Sequence, residues 1–62
     1  MPVVEIKMWA GRTPEQKETV IKKITEAVCE SIGCPRDHVH VIIYDVPKEN
    51  WGLHGEQASK IK

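Results

Sequence analysis

The residues able to do chemistry in this chain are few and scattered: Pro2, Arg12, His38, His40, His54, the thiols Cys29 and Cys34, and the rings of Trp9 and Trp51. Pro2 is the unusual one. With Met1 attached its nitrogen is an amide; with Met1 removed it is a free secondary amine. An α-amino group has a pKa of about 8, a secondary amine a higher one, and apolar walls or a nearby cation bring it toward neutrality. Such an amine is a competent general base at cellular pH. The competing reading is structural, because proline is tolerated at the first residue of a strand. Arg12 stands in GRTPEQK, beside a helix start. Unpaired amides at a helix N-terminus favour an anion, and an arginine next to them can grip a carboxylate with two hydrogen bonds. His40 could lend a hydrogen bond or a charge. Trp9 and Trp51 read as packing or interface residues that an oligomeric pocket would also use, His38 and His54 as solvated, Cys29 as a helix-face thiol and Cys34 as a loop thiol. The chain holds no phosphate-binding glycine loop, no GxSxG elbow, no HExxH pair and no paired CxxC motif.

Nine basic and nine acidic residues cancel, and neither sign forms a block. That argues against a nucleic-acid or polybasic membrane partner. The longest apolar stretch, VIIY at 41–44, is far too short to span a bilayer. No basic region followed by an apolar run opens the chain, and reduced thiols are the simplest state of Cys29 and Cys34, so a cytoplasmic location is expected. No metal and no organic cofactor is expected.

The elements that must position these groups follow from periodicity. Residues 2–9 alternate, with Val4, Ile6 and Met8 on one face and Val3, Glu5, Lys7 and Trp9 on the other, which predicts a strand. TPEQ at 13–16 reads as a helix start, with Thr13 as N-cap, Pro14 at the first helical position and Gln16 closing a capping box. Val20, Ile21, Ile24, Ala27, Val28 and Ile32 form an apolar stripe, and Gly33 is placed to end the helix. VHVIIYDV at 39–46 predicts a second strand, closed by Pro47. Strand, helix and strand describe an α/β fold, a right-handed βαβ unit with parallel strands. The tail, with Trp51 and Leu53 between polar and glycine residues, suits a short hairpin or hooked arm. Residues 1–62 are expected to form a single domain. A chain this small buries only about 60% of its unfolded surface, and one helix covers only one face of the sheet. Val3 and Trp9, with either Val39, Val41 and Ile43 or Ile42 and Tyr44, are left on the other face, a patch that predicts self-association.

Taken together, MPVVEIKM at the start, GRTPEQKETVIKKITEAV in the middle and HVIIYDVPKENWGLHGE near the end resemble the 4-oxalocrotonate tautomerase family, over the chain from Pro2 to about Ser59. The resemblance implies a βαβ protomer, a dimer whose sheets join into four strands, and three dimers forming a hexamer. It implies that Met1 is removed and that Pro2 acts as general base and then acid, shifting a proton in an unsaturated 2-oxo or 2-hydroxydienoic acid. Arg12 matches the arginine that binds substrate carboxylate from a neighbouring subunit. Trp51 takes the place of an aromatic residue, usually phenylalanine, that lines the pocket. Trp9 and Leu53 fall at wall positions, Trp9 much bulkier than the usual leucine. His40 stands where a second arginine engages the carbonyl end of the substrate. A mostly neutral histidine cannot reproduce that permanently charged, bidentate clamp, which predicts a smaller or less charged keto–enol substrate. Two readings stand beside this one: a water-adding hydratase or dehalogenase of the same superfamily, with Glu5 or Asp45 as the nearest carboxylate, and a non-catalytic oligomeric module in which Pro2 is structural. A metal site of His38, His40 and His54 is a more distant reading: His38 and His40 are expected to share a strand face, but no cysteine or carboxylate has a fixed relation to them.

Overall fold

The computed structural model describes residues 1–61. Strand β1 spans Val3–Trp9, helix α1 Pro14–Ile32 and strand β2 His40–Val46, and the two strands pair in parallel from Val3 opposite His40 to Trp9 opposite Val46. The expected βαβ unit is therefore present, with Pro2 and Val39 just outside the strands. Backbone bonds extend the ladder at both ends: His40 N–H donates to Pro2 O at 3.1 Å and Ala10 N–H to Val46 O at 3.0 Å.

The start of α1 is built as its sequence demands. Thr13 Oγ1 accepts from Gln16 N–H at 3.1 Å, and Gln16 Oε1 accepts from Thr13 N–H at 2.9 Å, with Pro14 in the first turn. At the other end the N–H of Gly33 donates to Cys29 O at 2.9 Å. Because the cap satisfies otherwise orphaned donors, Thr13→Ala is expected to lower stability by about 1 kcal/mol. Urea unfolding at one fixed protomer concentration measures it, since association contributes to the apparent stability; an unchanged midpoint would mean the helix start is held by packing alone.

Helix α1 lies on the face carrying Val4, Ile6, Met8, Val41 and Ile43, and meets it with Val20, Ile24 and Val28, all half-buried. Lys17 Nζ pairs with Asp45 Oδ2 at the edge of this contact. The apolar stripe is narrower than the sequence suggests: Ile21, Ala27 and Ile32 are exposed, because a two-stranded sheet is too narrow to reach them. The pairing also settles which residues the uncovered face presents. They are Val3, Glu5, Lys7 and Trp9 from β1 with His40, Ile42, Tyr44 and Val46 from β2.

After Pro47, a 3₁₀ turn at Lys48–Asn50 leads into a hairpin of β3 (Gly52–Leu53) and β4 (Glu56–Gln57). Its two-residue loop, His54 at φ 52° and Gly55 at φ 80°, has the positive dihedrals of a type I′ turn, which matches the right-handed strand twist. Ala58 N–H donates to Trp51 O at 2.7 Å, and Gln57 Nε2 to Glu49 O at 3.0 Å, tying the base of the arm. Ala58 is the one fully buried residue among those described. The radius of gyration is 14.5 Å, against about 11 Å for a compact chain of this length. Among the described residues the protomer is thus an open shape whose helix–sheet contact is only half-buried. Val3 (55% exposed), Ile42 and Tyr44 (41% each) and Leu53 (39%) remain on its surface, apolar groups of the kind that mark an interface.

Candidate active site

The predicted site residues fall into two groups at opposite ends of β1. At its start, Pro2 is half-buried and neighbours His40, which is exposed and opens β2. At its end, Trp9, Arg12 and Trp51 come together with a residue that sequence reasoning left in a polar tail, Lys48. The Trp9 and Trp51 rings meet edge to face, with centroids 6.2 Å apart and planes at 88°, a geometry worth about 0.5–1.5 kcal/mol beyond the area buried. Lys48 Nζ sits 4.8 Å from the Trp9 ring centroid. Leu53, on the hairpin arm two residues beyond Trp51, is partly exposed and is not enclosed within the protomer.

The chain folds this way locally because Gly11, at φ 122°, lets the backbone leave β1 sharply toward α1 and swings Arg12 to the sheet's end. Pro47 stops β2 and starts the 3₁₀ turn that lifts Lys48 over Trp9. Arg12 borders two cavities. One, of about 150 Å³, is lined by Trp9, Ala10, Gly11, Arg12 and Lys48. The other, of about 220 Å³, is lined by Met8, Arg12, Gln16, Lys17 and Val20. The capping box already occupies amides of the first helical turn, so an anion here is received chiefly by the guanidinium.

Neither of the carboxylates considered for water activation stands by the proline. Asp45 is engaged by Lys17 on the helix-covered face, six strand positions or about 20 Å along the sheet from Pro2. Glu5 is on the uncovered face, opposite Ile42. His38 falls in a 3₁₀ turn, Arg36–His38, rather than on β2, so it does not share a strand face with His40; Val39 between them bends the chain into the sheet. Among the described residues no three His, Cys, Asp or Glu side chains cluster as metal ligands, and no helix is long and apolar enough to cross a membrane.

Cys29 and Cys34 are both half-buried free thiols. Partial burial, then the neighbouring Cys34 thiol, push the Cys29 thiol above its ordinary pKa. Cys29 therefore holds less thiolate than an ordinary peptide cysteine and is expected to react with iodoacetamide more slowly than a cysteine in a short unstructured peptide does at pH 8. Peptide mapping of a timed alkylation checks it; equal rates would contradict it.

Pro2 and Arg12 are separated by the whole of β1, about 23 Å for its seven residues. No single protomer can bring both to one small molecule. A family model described as "Tautomerase enzyme" matches residues 2–61.

The chain belongs to the tautomerase family. As a tautomerase it is an isomerase of the keto–enol type. The 2-hydroxymuconate tautomerase of Comamonas testosteroni is 49% identical over 98% of this chain and 97% of the relative. A solved 4-oxalocrotonate tautomerase isozyme from Methylibium petroleiphilum is 50% identical and superposes with a TM-score of 0.91, covering 94% of each chain. A heterohexamer 4-oxalocrotonate tautomerase from Chloroflexus aurantiacus is more distant in sequence, at 27% identity, yet matches over 100% of both chains with a TM-score of 0.94. The fold is thus shared across wide sequence change.

Proposed function

We propose that this tautomerase ketonises a small 2-hydroxydienoic acid, or the enol of an unsaturated 2-oxo acid, using the Pro2 amine after Met1 is removed. The observation that carries this reading is the division of the site: a proline at one end of β1, and an arginine pocket with aromatic walls at the other. A two-fold pairing of protomers through the uncovered sheet face and its edges lays the Pro2 end of one chain against the Arg12 end of another. Such pairing joins the two-stranded sheets into four strands, and the apolar arm then covers further surface in a trimer of dimers. The hexameric assembly named for the Chloroflexus protein supports that count.

In the assembled site the Pro2 lone pair takes the proton of the substrate's 2-hydroxyl group. The O–H electrons become the carbonyl bond, the conjugated double bond shifts, and the ammonium form of Pro2 returns the proton to the far carbon of the diene. No atom is gained or lost. Arg12 of the facing chain holds the carboxylate at that far end and draws charge toward it. Trp9, Trp51 and Leu53 form apolar walls that exclude water and favour the uncharged amine. His40, beside Pro2, donates a hydrogen bond to the carbonyl end of the substrate. The relatives' activity on 2-hydroxymuconate makes that dienol the first substrate to assay. Protein with a free Pro2 should convert it, followed as loss of the dienol's ultraviolet absorbance; failure to do so at any pH between 6 and 9 would overturn the reading. The free, half-buried thiols suit a reducing, cytoplasmic setting.

A further inference from the structure

The geometry points to Lys48 as a second cation of the substrate pocket, sharing a carboxylate with Arg12 and selecting substrates that carry a carboxylate at each end. The inference rests on the tautomerase reading of the same site. Lys48 and Arg12 line one cavity of about 150 Å³. The structure's ion pairs are Lys17 with Asp45 and Arg36 with Glu26, so among the described residues neither Arg12 nor Lys48 has a carboxylate within 4.0 Å. Lys17, which borders the neighbouring cavity, is neutralised; the two cations beside Trp9 are not. Like charges gathered in one concavity are unfavourable unless an anion joins them.

A carboxylate can accept about four hydrogen bonds. The Arg12 fork and the Lys48 ammonium are donors only, and together they suit one carboxylate. The Trp9 ring face also holds Lys48 Nζ in place at 4.8 Å, so less side-chain freedom is lost when the ligand arrives.

His40 removes a permanent charge from the Pro2 end, and the expectation of a less charged substrate rested on that residue alone. Lys48 restores a permanent charge at the opposite end, where the distal carboxylate of a dienedioate lies. A doubly charged substrate is therefore matched by Arg12 and Lys48 together, and a monocarboxylate leaves their cradle unfilled.

The test compares wild type, Lys48→Met and Lys48→Arg, each checked for the same native mass. Steady-state kinetics are measured on 2-hydroxymuconate and on 2-hydroxypenta-2,4-dienoate, which lacks the distal carboxylate. Muconate, which has no hydroxyl proton for Pro2 to move, is titrated calorimetrically. Lys48→Met is expected to lower the dicarboxylate-to-monocarboxylate ratio of kcat/KM about tenfold, mainly through KM, and to weaken muconate binding about tenfold. Lys48→Arg is expected to regain most of both. An unchanged ratio, or unchanged muconate affinity in Lys48→Met, overturns the inference. Muconate binding that depends on Lys48 in protein that turns over neither substrate would refute the proline chemistry and leave the cradle standing.

Discussion

Protein that keeps Met1 is expected to ketonise 2-hydroxymuconate at least about 10²-fold more slowly than protein that begins at Pro2, the low end of what general base catalysis contributes. The reason is electronic. In the Met1–Pro2 peptide bond the nitrogen lone pair is delocalised into the carbonyl, so it cannot accept a proton. Removing one residue changes an amide into an amine and breaks no contact within the protomer: Met1 is 83% exposed and makes no hydrogen bond among the described residues. Two preparations separated by intact mass therefore test the base without any substitution. The processed form should show kcat/KM rising with pH through the amine's pKa and levelling above it, because the unprotonated form does the work; the Met1 form should lack that limb. Pro2→Ala, once processed, keeps a primary amine and so falls between the two. Equal rates for the two wild-type preparations would assign Pro2 to the strand start alone.

Much of the fold was legible because local rules and tertiary structure agree. Thr13, Pro14 and Gln16 build the helix start that their order predicts, and Gly33 closes the helix. Alternation marked β1, and a run rich in β-branched residues marked β2. What alternation could not decide was which set of β2 residues faces α1, since valine and isoleucine occupy both parities; the parallel register, Val4 opposite Val41, decides it. The exposure of Ile21, Ala27 and Ile32 was illegible for a related reason, as an apolar stripe reports the width of everything that covers it, partner chains included. In the candidate site, Pro2, Arg12, His40, Trp9 and Trp51 could be singled out by residue type, and Leu53 only through the family resemblance. Their division between two ends of a strand could not be, because spacing along the chain says nothing of which copy meets which. Lys48 was hidden by its neighbours: within KEN it reads as solvated loop, and only the turn after Pro47 brings it onto Trp9.

Activity is expected to return when two inactive chains are refolded together. One chain carries Arg12→Gln, which removes the guanidinium that holds the carboxylate and should cost roughly 10- to 100-fold in kcat/KM. The other keeps Met1 and has no free amine. Alone, each assembles sites that lack one essential group. In a one-to-one mixture, half the sites have a free Pro2, and half of those face a native Arg12, so about a quarter of the sites are complete if the two groups come from different protomers. If both came from one protomer, no mixture could produce an intact site. The seven residues of β1 between them make the second case geometrically closed, for a substrate of six backbone carbons cannot span about 23 Å. Chains folded separately and mixed afterwards should stay inactive until subunits exchange, which separates true assembly of shared sites from residual turnover in either parent. Recovery would also identify the uncovered sheet face as catalytic architecture. The same contact that supplies further core to a protomer with one fully buried residue among those described would be the contact that brings base and carboxylate clamp together.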